Sequence, residues 1–270
     1  MEPKSILSWN VNGFRKKREV IQELIKRISP DYVCLQETRL ADSIHLPCID
    51  EYHGYWNNAN KSGYSGTAIL CKEEPLSVSF GMPLSIDNEG RVITLETSRY
   101  YLVNTYMPAI NDDYHSLQRR LTFDRGFINH IEELLIKKPI IICGDINVPL
   151  TSMDLSDDLN SFHYQEILRE YKKSILKILL MGVVDVWRYF NPGKRENTWV
   201  PYGMRNSDDK IGMRMDYVFT SSQLLDRITS ISIKHRIQIS DHRPIIVSLR
   251  DINDDNKVDV GHLGRFVSDL

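Results

Sequence analysis

What most constrains this chain is a rhythm of short apolar, β-rich runs, several of which follow one another with nothing helical between them. Ten are legible: "SILSW" (5–9), "DYVCLQ" (31–36), "GTAILC" (66–71), "GRVITLET" (90–97), "YYLVNTYM" (100–107), "PIIIC" (139–143), "VVDVW" (183–187), "MDYVFTS" (215–221), "ITSISIKH" (228–235) and "PIIVSL" (244–249). Helix spacing is confined to three stretches. Val20, Ile21, Leu24, Ile25 and Ile28 mark one over 16–29, and Leu117, Leu121, Ile128, Ile131, Leu134 and Leu135 mark a second over 114–136. A third runs over about 162–181, with Gly182 as its stop. So many strands with so few helices exceed one doubly wound parallel sheet, and strands that follow directly must pair antiparallel. The expected class is α/β, with two packed mixed sheets and helices on the outside. No Pro/Gly/Ser-rich linker and no repeat divides the chain, so residues 1–250 are expected to form one domain.

Composition supports this without deciding function. Of 270 residues 41% are hydrophobic, ample for a core, and the net charge of −2 neither demands nor excludes a nucleic-acid partner, because local patches steer anions. Basic patches occur at "FRKKRE" (14–19), Arg119–Arg120, Lys172–Lys173 and Lys194–Arg195, each read first as a solvated face. Cys34, Cys48, Cys71 and Cys143 form no CxxC pair, and three lie in apolar runs, so reduced buried thiols are expected. The first residues are no signal peptide, and no apolar run reaches the ~18 residues of a membrane span. A soluble intracellular protein is expected, cytoplasmic or nucleoid-associated, or nuclear in a eukaryote. Residues 251–270 read as an acidic tail, "DINDDNKVDV", and then a possible amphipathic helix carrying Val260, Leu263, Phe266, Val267 and Leu270.

The polar residues at the ends of the strands carry the functional signal. Asn10 and Asn12 follow the first strand, Gln36 and Glu37 end the second, Tyr106 ends "YYLVNTY", and Asp145 and Asn147 follow "PIIIC" in "CGDINVPL". Asp216 opens one late strand, and Asp241 with His242 precedes the last. One such residue is ordinarily a turn former or a cap. Six endings of this kind in one chain point to a single sheet edge on which a site is built. The inventory is coherent. Glu37, Asp145, Asp216 and Asp241 are hard oxygen donors suited to Mg2+ or Mn2+, with no thiolate or histidine cluster for zinc. Asn10, Asn12, Asn147 and Tyr106 can hold phosphate oxygens, and His242 can face a phosphate or move a proton. No GxxxxGK[ST] loop or GxGxxG fingerprint occurs, which argues against nucleotide hydrolysis of that type and against dinucleotide redox chemistry. A metal-assisted attack of water on a phosphodiester is the reaction this set can perform.

Eight blocks in order, "SWNVNGFR", "PDYVCLQET", "GYSGTAIL", "NEGRV", "YMP", "CGDINV", "RMDY" and "SDHRP", resemble the exonuclease III type of apurinic/apyrimidinic endonuclease, within the endonuclease/exonuclease/phosphatase (DNase I-like) superfamily. The resemblance spans about residues 5–249. It implies a four-layer α/β sandwich and a Mg2+-dependent cut 5′ to an abasic site in double-stranded DNA, with Mn2+ as a substitute. It also implies removal of 3′ blocking groups and 3′–5′ degradation, by a protein expected to be a monomer. By the same resemblance Glu37 is the principal metal ligand, helped by Asn10, Asp241, Asp145 and Asn147. Asp145 orients or deprotonates water, Asn147 steadies the phosphate, Tyr106 contacts it, and His242 faces it with Asp216 hydrogen-bonded behind. Asn12, Arg91, Tyr64, Trp199, Met213 and Arg214 are expected to touch DNA or shape its groove, and Asp154 to brace Tyr106.

Two positions depart from the family pattern. Ala109 follows "YMP" where relatives carry an Asn or Gln, and Met213 stands where a Trp commonly lines the abasic-site pocket. They leave the phosphate chemistry intact and put abasic-site preference in question. Two other readings are a nuclease of the same fold without abasic preference, as in retrotransposon endonucleases that share "GDxNxPL", and a non-catalytic DNA-binding paralogue. Residues 260–267, "VGHLGRFV", are spaced like a degenerate sliding-clamp-binding peptide that lacks its glutamine.

Overall fold

The structure is a computed structural model; it describes residues 3–41, 46–83, 88–109, 114–156, 162–201 and 211–250. The strands in chain order are β1 (Lys4–Asn10), β2 (Tyr32–Gln36), β3 (His53–Asn57), β4 (Thr67–Cys71), β5 (Ser77–Phe80), β6 (Val92–Glu96), β7 (Tyr101–Tyr106), β8 (Ile140–Asp145), β9 (Val183–Asp185), β10 (Asp216–Ser221), β11 (Ile228–Ile233) and β12 (Ile245–Leu249). The helices are α1 (Arg18–Ile28), α2 (Tyr114–Lys137), α3 (Phe162–Leu180), α4 (Val186–Phe190) and α5 (Ser222–Leu225).

One sheet has the order β11-β12-β1-β2-β4-β3 and the other β5-β6-β7-β8-β10-β9. Each holds one parallel pair, β1 with β2 and β7 with β8, while the remaining neighbours are antiparallel. Parallel neighbours need a long crossover, and α1 and α2 supply it. The geometric result matters for function. The C-terminal ends of β1, β2, β7 and β8 and the N-terminal ends of β10 and β12 all reach the same edge.

Three apolar clusters account for the layers. Ile6, Cys34, Ile69, Leu102, Ile141, Cys143, Val218 and Val247 pack between the sheets; Phe127, Ile131, Tyr171 and Ile175 of α2 and α3 cover the second sheet; Ile21, Leu24 and Ile25 of α1 cover the first. The expected four-layer sandwich is what the chain adopts. Between the sheets Asn104 of β7 donates to the carbonyls of Leu35 (2.9 Å) and Ala68 (2.8 Å) and accepts from Gln36 Nε2 (2.7 Å). Cys34, Cys71 and Cys143 are buried free thiols as expected, and Cys48 is exposed.

Several local expectations give way. Residues 183–187 are not one strand: the Asp185 carboxylate accepts from the Arg188 N–H (3.1 Å) and starts α4 at Val186. The strands β3 and β5 carry no readable alternation because they are half-open sheet edges. In α2 the buried face runs through Arg120, Asp124, Phe127, Ile131 and Leu134, and Leu121 is only half-buried. Arg120 is therefore no part of a solvated basic face. It is fully buried, paired with Asp124 at 2.7 Å and donating to the Pro108 carbonyl at 3.0 Å. Among the described residues no helix is long and apolar enough to cross a membrane. The tail 251–270, with the 260–267 motif, lies outside the described residues.

Candidate active site

The stretch "CGDIN" shows how the chain builds the edge one residue at a time. Cys143 points into the core between the sheets. Gly144 has φ +150°, and a Cβ there would lie 1.9 Å from the Thr105 carbonyl oxygen of neighbouring β7, so only glycine fits. Asp145 is the last residue of β8 and wholly buried. The chain then turns through Asn147 at φ +57°, so Asp145 and Asn147 meet through a tight turn and not through regular alternation past the strand. The Asn147 N–H donates to Asp145 Oδ1 (2.9 Å), and its amide reaches the Met107 carbonyl (2.9 Å) and Asp145 Oδ2 (3.3 Å).

Asn10, at the end of β1, joins the two sheets. Its Nδ2 donates to Glu37 Oε1 (2.9 Å) and Asp145 Oδ2 (2.8 Å) and lies 3.5 Å from His242 Nε2. The Asn12 N–H donates to Asn10 Oδ1 at 3.0 Å, which fixes the nitrogen end of that amide toward the carboxylates. The expected oxygen of Asn10 is therefore committed elsewhere, and Asn10 acts here as a donor that bridges two acids. Glu37 sits at φ +50° just past β2; its Oε2 takes Nε (3.0 Å) and Nη2 (2.5 Å) of Arg39. Burial alone would raise the Glu37 carboxyl, but the Asn10 hydrogen bond and the positive His242 and Arg39 hold it below its ordinary value.

His242 is buried, with Nδ1 2.8 Å from Asp216 Oδ2 and Nε2 3.8 Å from Asp145 Oδ2. Burial opposes its charge, yet the carboxylates of Asp216, Asp145 and Asp241 win and push it up to about 10. Trp9 Nε1 donates to the His242 carbonyl (3.0 Å), and Thr198 Oγ1 accepts the N–H groups of Met215 (2.9 Å) and Asp216 (3.0 Å), so both members of the pair are fixed from behind. Burial, with the negative Asp216 and Glu37, pushes Asp145 up to about 7 against the opposing pull of His242 and Asn10. Tyr106 ends β7 under the Arg91 guanidinium, 4.7 Å from its ring centre; burial and the charges of Glu37 and Asp145 keep its phenol well above the ordinary value.

Glu37, Asp145 and His242 each bring one ligand atom within 4.8 Å of the others, a group that could hold a metal ion. A histidine held protonated has no lone pair at Nε2 to give. The donors that remain are carboxylate oxygens, which fit a hard divalent cation. Asp241 lies outside this cluster. Its oxygens take Asn12 Nδ2 (2.7 Å) and Trp199 Nε1 (3.3 Å). Burial would raise its carboxyl, but His242, Asn12 and Ser240 hold it low.

The outer residues divide differently from the expectation. Arg91 is buried, donating to the Tyr106 carbonyl (2.8 Å) and Tyr64 (3.0 Å) and pairing with Glu89, so it braces β7. Tyr64 is half-exposed and also receives Arg119 (3.0 Å). Arg214 is fully buried between Asp154 (2.7 Å) and Asp185 (2.6 Å) over the Tyr217 ring, which excludes it from groove contact in this structure. Asp154 does not brace Tyr106. It caps the single turn Ser152–Asp154 through Thr151 and pairs with Arg214 and with Arg188 (2.5 Å). Met213 and half-buried Trp199 do meet, in an apolar cluster with Leu155 and Met215, and the backbone of Trp199 pairs with that of His242. Sequence reasoning missed Trp9, Arg39, Asp185 and Thr198. The spacing of Asp185 and Arg188 was the one available sign, an N-cap pattern hidden inside an apolar run.

Paired sheets with carboxylates, amides and a charged imidazole gathered at one edge define a hydrolase of phosphate esters. The chain belongs to the Endonuclease/Exonuclease/phosphatase family, whose model matches residues 7–242. It is 38% identical over 261 residues to the "DNA-(apurinic or apyrimidinic site) endonuclease" of Dictyostelium discoideum, covering 92% of this chain and 71% of that one. It is 35% identical over 245 residues to the "Exodeoxyribonuclease" of Bacillus subtilis, covering 89% and 97%. A solved AP endonuclease from Archaeoglobus fulgidus superposes with a TM-score of 0.82 at 25% identity, covering 91% and 99%. The chain is a nuclease, a hydrolase of phosphodiesters.

Proposed function

We propose that the chain is a DNA-repair nuclease that hydrolyses the phosphodiester 5′ to an abasic site in duplex DNA, with 3′–5′ exonuclease and 3′-phosphodiesterase activity, using Mg2+ or Mn2+. The observation that carries the reading is the Asn10 bridge, which holds Glu37 of one sheet and Asp145 of the other within reach of a charged His242. Glu37 is the chief ligand for the cation, which when bound supplies charge to a phosphate oxygen and acidity to water. Asp145, pushed up to about 7, is placed to accept a proton from the attacking water near neutral pH. His242, kept charged by Asp216, presents a donor to a phosphate oxygen, and Asn147 and Tyr106 flank it. The relatives named for abasic-site cleavage and for exodeoxyribonuclease activity support both arms of the proposal.

The apolar face of Met213 and Trp199 beside His242 is the place for an extruded base-less sugar. Residues 1–250 carry this activity as one domain, acting as a monomer, with 251–270 as an appended tail. A clamp contact through 260–267 rests on the sequence pattern alone; unchanged clamp affinity after deletion of 258–270 would remove it. The deciding assay compares labelled duplexes bearing an abasic site, a 3′-phosphoglycolate end or no damage, with Mg2+, Mn2+ or chelator. Cleavage of the abasic duplex that needs metal is expected. No cleavage of any duplex with either metal ends the proposal.

A further inference from the structure

Arg39 occupies a place that the reaction, as set out above, does not use. Glu37 and Arg39 both adopt left-handed backbone, at φ +50° and +52°, around buried Thr38. Four hydrogen bonds hold this three-residue turn between two loops: Gly13 N–H to Glu37 O (2.8 Å), Phe14 N–H to Thr38 O (2.9 Å), Thr38 N–H to Gly66 O (3.1 Å) and Arg39 N–H to Ser65 O (2.9 Å). The strain of two non-glycine residues at positive φ is therefore over-determined by its surroundings. Its effect is to turn both side chains to the same side. The Arg39 stem runs beside Gly13, where a Cβ would lie 3.8 Å from Arg39 Cδ. Its guanidinium places Nε and Nη2 on Glu37 Oε2, while Asn10 takes Oε1. Glu37 is nearly enclosed, with 12% of its side chain exposed, but Arg39 is 43% exposed. Both oxygens of the chief acid thus have donors, and one donor is an arginine with its outer side open to solvent.

We infer that Arg39 is a positioning residue that competes with the divalent cation for Glu37 and yields to it when a substrate phosphate offers the guanidinium another partner. A cation and a guanidinium cannot share Oε2 without repulsion. Planar guanidinium takes phosphate as readily as carboxylate, so a phosphodiester at the edge draws Arg39 outward. Metal and DNA then strengthen each other, and the coupling is the same whichever binds first. The inference rests on the reading of Glu37 as a metal ligand.

The test measures Mn2+ affinity of the full chain by the electron paramagnetic resonance signal of free Mn2+. It adds the Kd of a labelled undamaged duplex by fluorescence anisotropy, with Ca2+ or with chelator. Arg39→Met should bind Mn2+ about fivefold tighter than wild type without DNA, the lower end of ordinary coupling between two ligands. The gain in duplex affinity on adding Ca2+ should shrink by a similar factor. Arg39→Lys, which keeps the charge with fewer donors, should lie between. A merely structural role for Arg39 would not tighten metal binding. If Arg39→Met and Arg39→Lys bind Mn2+ no more tightly than wild type while Glu37→Gln binds it more weakly, the competition is wrong and Glu37 stands as ligand. If Glu37→Gln binds Mn2+ like wild type, Glu37 is no ligand and both ideas fall together.

Discussion

At the scale of single residues, the site's acids have donors before any ion arrives. Asp145 is flanked by Asn10, Asn147 and His242, and His242 by Asp216. Asp145→Asn and His242→Ala should each lower abasic-duplex cleavage by about 10²–10⁴, the range for a lost proton-transfer or charge-stabilising group. Thermal melts should remain cooperative for both, since each lies at the sheet edge; near-normal rates in either would overturn its assigned role. Ala109 offers no side-chain donor beside Pro108. Ala109→Asn should raise turnover by about tenfold if the family's phosphate contact is simply missing, in line with a charge-assisted hydrogen bond of about 1.5–3 kcal/mol. An unchanged rate would mean that another group already serves. That these residues would share one edge was legible because strand-end polar residues are few and chemically matched, while their separate roles came from the family resemblance. The direction in which Asn10 turns its amide was not legible, since that depends on a backbone N–H two residues on.

At the scale of elements, two buried polar devices hold the frame. Asp154 ties the turn after β8 to Arg214 ahead of β10 and to Arg188 in α4. Burial would raise its carboxyl, but Arg214, Arg188 and Thr151 hold it below the ordinary 3.8. A depressed carboxyl gives its full stabilisation above the unfolded value and loses it as pH falls through the folded one. Asp154→Asn should therefore cost about 3 kcal/mol at neutral pH, the low end for breaking a buried pair because Asp185 still holds Arg214. The gap should narrow steadily below pH 3.8 in urea melts followed across that range; a gap independent of pH would refute the charge pairing. Asn104→Ala should cost about 2–4 kcal/mol by taking a buried donor from the Leu35 and Ala68 carbonyls and one acceptor from the Gln36 amide, which keeps Ser8 and the Cys34 carbonyl. The sequence disclosed central strands well, since buried parallel strands such as β8 read as unbroken apolar runs. It hid β3 and β5, edge strands that expose most of their side chains although Trp56 of β3 is buried, and the true buried face of α2, where Arg120 and Asp124 replace the expected leucine.

At the scale of the whole molecule, the metal is expected to serve chemistry and not folding. Among the described residues Glu37 and Asp145 already have donors, and three apolar clusters hold the layers without them. Chelator should abolish cleavage while lowering Tm by only about 3–6 °C, what linkage gives for an ion near ten times its Kd. Loss of cooperative melting on chelation would contradict this. The order of the eight sequence blocks disclosed the sandwich; the register of one sheet on the other was not in any block, because it is set by side chains such as Asn104 that pair across a distance in sequence.

That register has a mechanical consequence. The Asn10–Asp145 hydrogen bond crosses from one sheet to the other, so the reactive geometry belongs to neither plate alone. A slip of a few tenths of an ångström between the plates would misalign the edge while leaving every strand ladder intact. Resizing a side chain in the seam, at Cys34 or Cys143 for instance, should then detune the rate well before it loosens the fold. Catalytic rate becomes a gauge of shear between two otherwise rigid bodies.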